Sequence, residues 1–273
     1  MEHSFLKRED YEESCCPFAK PDQPVTIPVD RVVRRLDEYL SRNDYDAAQR
    51  HLDYWLAEAE SVGDRRGRLT VLNERIGLFR KLNRESEGLE AVREALALAR
   101  ELDLTHTAAM GTTLVNASTA LCAFGRSREA LPLYEEAQRL YEGILPEADS
   151  RLGGLYNNMA LAIMDTGDYD RAEAYFRKAM DVMTRCEHGE AEIAVTCCNL
   201  ADLALARYGA EDSEAQIEAY LDRAMELLDT PDLPRDGHYA FVCEKCAPVF
   251  GCHGYFLAER ELKARSEAIY ERA

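Results

Sequence analysis

The chain has 273 residues, 47% hydrophobic and 31% charged, a balance typical of a folded domain with a sizeable core. Its 51 Asp and Glu residues against 33 Lys and Arg give a net charge of −18, which repels phosphate backbones and anionic lipid headgroups. We therefore expect neither a nucleic-acid partner nor a membrane partner. The acidity fits a basic or neutral polypeptide partner, but it also serves solubility alone.

Residues 1–29 form a predicted N-terminal arm, Pro-rich at its end and partly disordered. It carries Phe5, Leu6, Tyr11 and Phe18. Two interpretations stay open: the arm covers the first edge of the fold, or it lays its aromatic side chains in a binding groove as a built-in pseudo-ligand. Residues 1–10 lack the apolar core of a secretory signal, and the chain has nine cysteines. We therefore expect a reducing, cytoplasmic location without disulfides.

From residue 30 onward, helix-ending signals recur at a regular interval. The last four, Gly125, Gly167, Gly209 and Gly251, are spaced by 42 residues, and Asn43 and Asn83 precede them. Gly and Asn suit the left-handed residue that ends a helix, and apolar residues at helical spacing flank each signal. The pattern predicts an all-α domain over residues 30–273. Its six antiparallel hairpins span 30–62, 64–102, 105–145, 149–186, 189–228 and 236–272.

The fourth hairpin shows how its two helices pack. Small residues at Ala160, Ala172 and Ala179 allow close approach, and Tyr169 and Phe176 fill the remaining space. The third hairpin repeats this spacing with Ser118, Gly125, Ala130, Tyr134 and Ala137. The fifth repeats the second helix of the fourth and adds residues 210–214, which we interpret as a longer turn. Pro146, Pro231 and Pro234 fall in predicted connections.

These residues, with the motif Asn158-Met159-Ala160 before Gly167 and Tyr169, resemble the tetratricopeptide repeat (TPR) family. The 42-residue interval is similar to the long variety found in kinesin light chains and in bacterial peptide-sensing regulators. The resemblance implies a right-handed α-solenoid that binds a peptide or protein in a concave groove, lined by the first helix of each hairpin.

The repeat register places a mostly neutral set of side chains in that groove. The candidate ligand contacts are Asn73, Arg80, Asn116, Thr119, Asn157, Asn158, Leu161, Met164, Asn199 and Asp202. The asparagines suit the backbone of an extended peptide, but they also suit hydrogen bonds from one repeat to the next. Leu161 and Met164, with Leu205, offer an apolar surface for side chains. The carboxylate clamp of chaperone-binding relatives is not matched, because Val115 and Cys198 occupy two of its positions.

His238, Cys243 and Cys246, followed by Cys252 and His253, are the candidate ligands for a metal site. They lie along one predicted helix, whereas a zinc site needs a second ligand pair from a loop or knuckle. An apolar face of a capping helix is the simpler interpretation. We expect no metal.

No phosphate-binding loop, nucleophile elbow or zinc-protease motif is present, so we expect no enzyme activity and no cofactor. The sequence favours a protein-binding or peptide-binding scaffold whose partner is unknown. The alternative is a peptide-sensing or small-ligand-sensing regulatory receptor. Less favoured are a metal-binding protein and a structural protein that self-assembles. The predicted oligomeric state is a monomer or a homodimer formed through the solenoid edges.

Overall fold

A computed structural model describes residues 25–272, which contain helices and no strands. The helices are α1 Val29–Ser41, α2 Tyr45–Ser61, α3 Arg65–Lys81, α4 Glu85–Glu101, α5 Ala108–Ala123, α6 Ser127–Ile144, α7 Ser150–Met164, α8 Tyr169–Met183, α9 Glu190–Tyr208, α10 Ala210–Leu228, α11 Gly237–Cys252 and α12 Phe256–Tyr270. Two consecutive helices therefore occupy each of the six ranges that the sequence predicts as hairpins. We call α1, α3, α5, α7, α9 and α11 the first helices.

Aspartates and left-handed residues set the helix boundaries. Aspartate side chains accept a hydrogen bond from the first turn of α2, α3, α7, α8 and α11, which satisfies backbone N–H groups that have no partner within the helix. Left-handed residues follow the first helices at the predicted positions Asn43, Asn83, Gly125, Gly167 and Gly209. The turns that lead into the next first helix use Gly63, Asp103 and His188, which the repeat pattern does not single out.

The described residues fall into two compact units that divide between Arg126 and Ser127. In unit 1, α1 packs on α2, α3 packs on α4, and the first helices α1, α3 and α5 contact one another in sequence. Its core includes Leu36, Leu52, Trp55 and Val71. Helix–helix burial of this kind, rather than helix propensity, supplies most of the stability.

Unit 2 holds α6 to α12. The pairs α7/α8, α9/α10 and α11/α12 each pack together, and α9 contacts both α7 and α11. The predicted packing residues Ala160, Ala172, Phe176 and Ala179 have at most 1% of their surface exposed. The small-and-large spacing in the sequence therefore does describe how these helices approach each other.

Two predicted details of unit 2 are wrong. Residues 210–214 do not lengthen a turn, because Gly209 alone joins α9 to α10, and Glu211 and Asp212 lie in the first turn, where the helix dipole favours acidic residues. The turn predicted at Gly251 lies at Gly254, which has φ +88°. Gly251 is helical, and a β-carbon there would lie 2.4 Å from the Glu259 carboxylate.

The predicted domain boundary at residue 29 stays a prediction, because residues 1–24 of the arm, including Phe5, Leu6, Tyr11 and Phe18, lie outside the described residues. The end of the arm is packed. Ile27 is buried, and its N–H donates to the Asp64 carboxylate over 2.9 Å. Within residues 25–272, no helix is both long enough and apolar enough to cross a membrane.

Candidate functional site

In unit 1, three polar side chains link the first helices α3 and α5. The Asn73 amide donates to the Thr113 hydroxyl over 3.1 Å and to the Leu69 carbonyl over 3.0 Å. Asn116 in turn donates to the Asn73 side-chain oxygen over 3.0 Å. We call Asn73, Thr113 and Asn116 the first triad. Its geometry fixes the orientation of the Asn116 amide, which lies one helical turn after Thr113.

Unit 2 repeats this arrangement between α7 and α9. The Asn199 amide donates to the Asn157 side-chain oxygen over 2.9 Å, and the Thr196 hydroxyl lies 3.2 Å from the same oxygen. We call Asn157, Thr196 and Asn199 the second triad. The repeat spacing predicts the asparagines as a ladder, but the threonines are missed. The signal for them is a threonine three residues before an asparagine in both α5 and α9.

Both interpretations of the asparagines now have a structural basis. Each triad bonds across repeats, yet an amide group has more bonding sites than these contacts use. Among the described residues, Asn116 and Asn199 each use one amide hydrogen, and the Asn157 nitrogen donates to no partner. All three side chains are half-buried. These groups can bind the carbonyl and N–H groups of an extended peptide without rearranging.

Apolar side chains lie near the second triad. Leu161, one turn after Asn157 on α7, is 36% exposed, and Leu205 on α9 is 38% exposed. Met164 is half-buried and packs against the core around Phe176. Amides and exposed aliphatic groups on the same two helices can hold both the backbone and the side chains of a peptide.

The remaining predicted contacts are less uniform. Thr119 is half-buried, and its hydroxyl donates to the Val115 carbonyl of its own helix over 2.8 Å. Asn158 is half-buried beside Asn157, and Arg80 is exposed at the end of α3. Asp202 has a protein partner, because its carboxylate lies 2.9 Å from the Nε2 atom of the buried His253. Asp202 therefore anchors α11 to α9 and is not a free groove residue.

The register places Cys198 in the groove, and this prediction is wrong. Cys198 is 1% exposed and lies in a core cluster that contains Cys197, Cys243 and Cys246. Contact with the Cys246 thiol, together with burial, raises the pKa of Cys198. Burial also raises the pKa of Cys197 to about 11. These thiols stay protonated and fill core space, as buried cysteines commonly do.

The candidate metal ligands differ in burial, and two of the cysteines face the core. His238 has an exposed side chain with its Nε2 atom 3.2 Å from the Glu192 carboxylate, whereas Cys243 and Cys246 are buried in the core. Burial raises the pKa of Cys243, which disfavours the thiolate that a metal needs. Within residues 25–272, no group of three His, Cys, Asp or Glu side chains has the geometry to hold a metal ion.

No protein-family model matches the chain, and no curated protein matches its sequence. Solved structures do match its fold. NprR in complex with its cognate peptide NprX is 16% identical with a TM-score of 0.58, and the match covers 94% of this chain and 71% of NprR. The apo form of the quorum sensor NprR from B. thuringiensis is 15% identical with a TM-score of 0.53, covering 90% of this chain and 65% of that one.

Kinesin light chain TPR-like repeats from Podosopora anserina are also similar. They are 14% identical with a TM-score of 0.53, and the match covers 75% of this chain and 95% of theirs. The fold is therefore the α-solenoid of long TPR-like repeats, as the sequence predicts.

Proposed function

We propose that the chain is a non-catalytic scaffold that binds an extended segment of another polypeptide along the first helices. The observation that carries this proposal is the second triad. Within residues 25–272, its hydrogen bonds hold the Asn157 and Asn199 amides in place while leaving donors and an acceptor open. Leu161, one turn after Asn157, and Leu205, further along α9, add exposed apolar surface. An oriented site loses less conformational entropy when the peptide binds.

The similarity to NprR supports this proposal at the level of fold, because NprR binds the peptide NprX. A cytoplasmic location, the absence of a cofactor, of a nucleic-acid partner and of a membrane partner, and a monomeric or homodimeric state stay predictions. Self-assembly through the solenoid edges would appear as a mass that rises with protein concentration in sedimentation experiments.

The test uses peptides selected from a random display library against the intact protein. Binding of each selected peptide is measured by calorimetry to the intact chain, to Asn157→Ala and to Asn199→Ala. We expect each variant to weaken binding by about ten-fold, which corresponds to the loss of one good hydrogen bond.

Gln216→Ala is the matched control, because it removes an exposed amide from α10, which is not a first helix. We expect it to leave the affinity unchanged. Equal affinity of all three variants and the intact chain would show that peptides bind elsewhere on the molecule.

The second candidate function is a peptide-sensing receptor, which the fold similarity to both apo and peptide-bound NprR favours. A receptor changes state when its ligand binds, whereas a scaffold holds its partner with little change. Hydrogen exchange separates the two. Protection that changes far from the triads on peptide addition supports sensing, and protection confined to the first helices supports a scaffold.

A further inference from the structure

Unit 2 contains a cavity of about 490 Å³ where the starts of α7, α9 and α11 come together. It lies one turn before the second triad on two of these helices, since Gly154 and Glu192 line it and Asn157 and Thr196 follow them. Its volume is within the range that holds small ligands or large side chains. Neither the repeat pattern nor the asparagine register predicts it.

The walls of the cavity are largely apolar. Met183, Leu233 and Pro234 supply aliphatic surface, and Tyr239 also lines the cavity. Gly154 leaves space in the cavity because it has no side chain, and a β-carbon at this position would meet no atom within 4 Å. The cavity therefore accepts an aliphatic chain, and a larger residue at position 154 would fill it.

Carboxylates predominate among the charged groups that line the cavity. Glu187, Glu192 and Asp236 lie on its lining, and so do Arg151 and two histidines. The Arg151 guanidinium is already paired, because it donates twice to the Asp149 carboxylate over 2.8 and 2.6 Å.

The two histidines, His188 and His238, lie 3.6 and 3.2 Å from Glu187 and Glu192, respectively. The start of α9 has no side-chain cap, but Glu190 and Glu192 in its first turn offset its attraction for anions. Asp236 also caps the start of α11 by accepting from the His238 and Tyr239 N–H groups. By formal charge, three carboxylates against one arginine still make the lining negative, which favours a cation.

We propose that this cavity is a subsite for a basic side chain, arginine or lysine. These side chains combine an aliphatic stem with a charged head, which matches an apolar wall with carboxylates at its edge. The inference rests on the proposed function in one respect: the side chain would belong to a peptide that lies along the second triad. It identifies the bound segment as basic, which suits a chain with a net charge of −18.

The test uses single blocked amino acids, which are too short to reach from the cavity along the triad. Nα-acetyl-arginine amide is titrated into protein labelled with 13C at its methionine methyl groups. The Met183 methyl signal, assigned with Met183→Leu, reports on the cavity. Nα-acetyl-citrulline amide is the control ligand, because it keeps the shape of arginine and lacks its charge. We expect saturable shifts with the arginine compound and at least about five-fold weaker binding of citrulline, the scale of one partly exposed ion pair.

Two protein variants locate the interaction. Glu192→Gln removes a lining carboxylate, and Glu190→Gln removes a neighbouring carboxylate that does not line the cavity. We expect Glu192→Gln to weaken arginine binding by about three-fold to ten-fold, and Glu190→Gln to weaken it less, because Glu190 acts only through the start of α9. Gly154→Leu adds bulk at a lining position where a β-carbon meets no atom within 4 Å, and it should weaken the response of the Met183 signal to arginine.

The outcomes separate this inference from the proposed function. Equal binding of the arginine and citrulline compounds, or no saturable shift of Met183, would each overturn the basic subsite, even if the asparagine variants confirm peptide binding. Conversely, if binding in the cavity depends on charge but the asparagine variants bind peptides with unaltered affinity, the basic subsite stands and the proposed role of the second triad fails.

Discussion

Each triad consists of two asparagines and one threonine at equivalent helix positions, but the two triads distribute their hydrogen bonds differently. Asn73 uses both hydrogens of its amide, on Leu69 and Thr113, and its oxygen accepts from Asn116. Asn157 is bonded only through its oxygen among the described residues. We call the first triad closed, because its central asparagine has all its polar atoms bonded, and the second triad open, because the nitrogen of its central asparagine has no partner among the described residues.

This difference teaches that a repeated residue need not have a repeated role. Asn73 links α3 to α5 in a structural role, since every polar atom of its side chain has a protein partner. Asn157 leaves its nitrogen available beside the exposed side chain of Leu161. We therefore expect substitutions in the first triad to act mainly on stability and those in the second triad to act mainly on binding.

The largest expected contrast is between Asn73→Ala and Asn157→Ala. The first removes three side-chain hydrogen bonds, which leaves the Asn116 amide without its acceptor and the buried Thr113 bonded only to the Ala109 carbonyl. We expect it to lower the free energy of opening by about 2 kcal/mol. The second removes fewer bonds at a half-buried site, and we expect about 1 kcal/mol. Native-state hydrogen exchange reads each unit separately, through amides in α3 and α5 or in α7 and α9.

Asn116→Ala is the control for the first triad. It removes the outer member and leaves the bonds from Asn73 to Thr113 and Leu69 intact, so we expect a loss of about 1 kcal/mol or less. If Asn157→Ala destabilises its unit as much as Asn73→Ala does, the distinction between a closed and an open triad fails.

The sequence predicts the helix pairs well because their signals are local. Each left-handed Asn or Gly ends its helix without help from distant residues, and the alternation of alanines with Tyr169 and Phe176 is set by direct helix contact. The error at Gly251 arises because two nearby glycines, Gly251 and Gly254, could each form the turn after α11. The repeat interval favours the first, whereas the chain uses Gly251 for close approach to Glu259 and turns at Gly254.

The site is less predictable because it depends on side-chain direction. A register that tolerates an error of one position along a helix places Cys198 in the groove, although it faces the core beside Cys246. For the same reason the sequence does not predict the roles of Thr113 and Thr196, whose asparagine partners lie on the neighbouring helix. The cavity beside Gly154 needs three helix starts together, which no local pattern contains.

We expect a smaller difference in the loss of stability when the threonine of each triad is replaced. Thr113→Val leaves one hydrogen of the Asn73 amide without an acceptor in a buried site, and we expect a loss of about 1 kcal/mol. Thr196→Val leaves the Asn157 oxygen bonded to Asn199, so we expect about 0.5 kcal/mol or less. Valine keeps the branched shape in both cases, which isolates the hydroxyl. Hydrogen exchange of the same helices measures both, and equal losses would contradict the difference between the triads.

The smallest expected effect concerns the residue after each central asparagine, which is Glu74 in unit 1 and Asn158 in unit 2. Burial, with a further contribution from Asp37, raises the pKa of Glu74. A carboxyl whose pKa is raised by folding stabilises the folded state below its unfolded pKa of about 4.3, and this contribution is lost as the pH rises through the folded pKa. Folding therefore disfavours the ionised form of Glu74 relative to its protonated form.

Glu74→Gln makes unit 1 resemble unit 2 by placing an amide at this position. We expect it to raise the free energy of opening of α3 at pH 7 by about 0.5 kcal/mol, with the gain shrinking as the pH falls toward about 4. Glu90→Gln, at an exposed position on α4, is the control and should show no such pH dependence. A gain that is constant from acid to neutral pH would mean that Gln stabilises α3 by packing or helix propensity, and that the charge of Glu74 is not what distinguishes the two units.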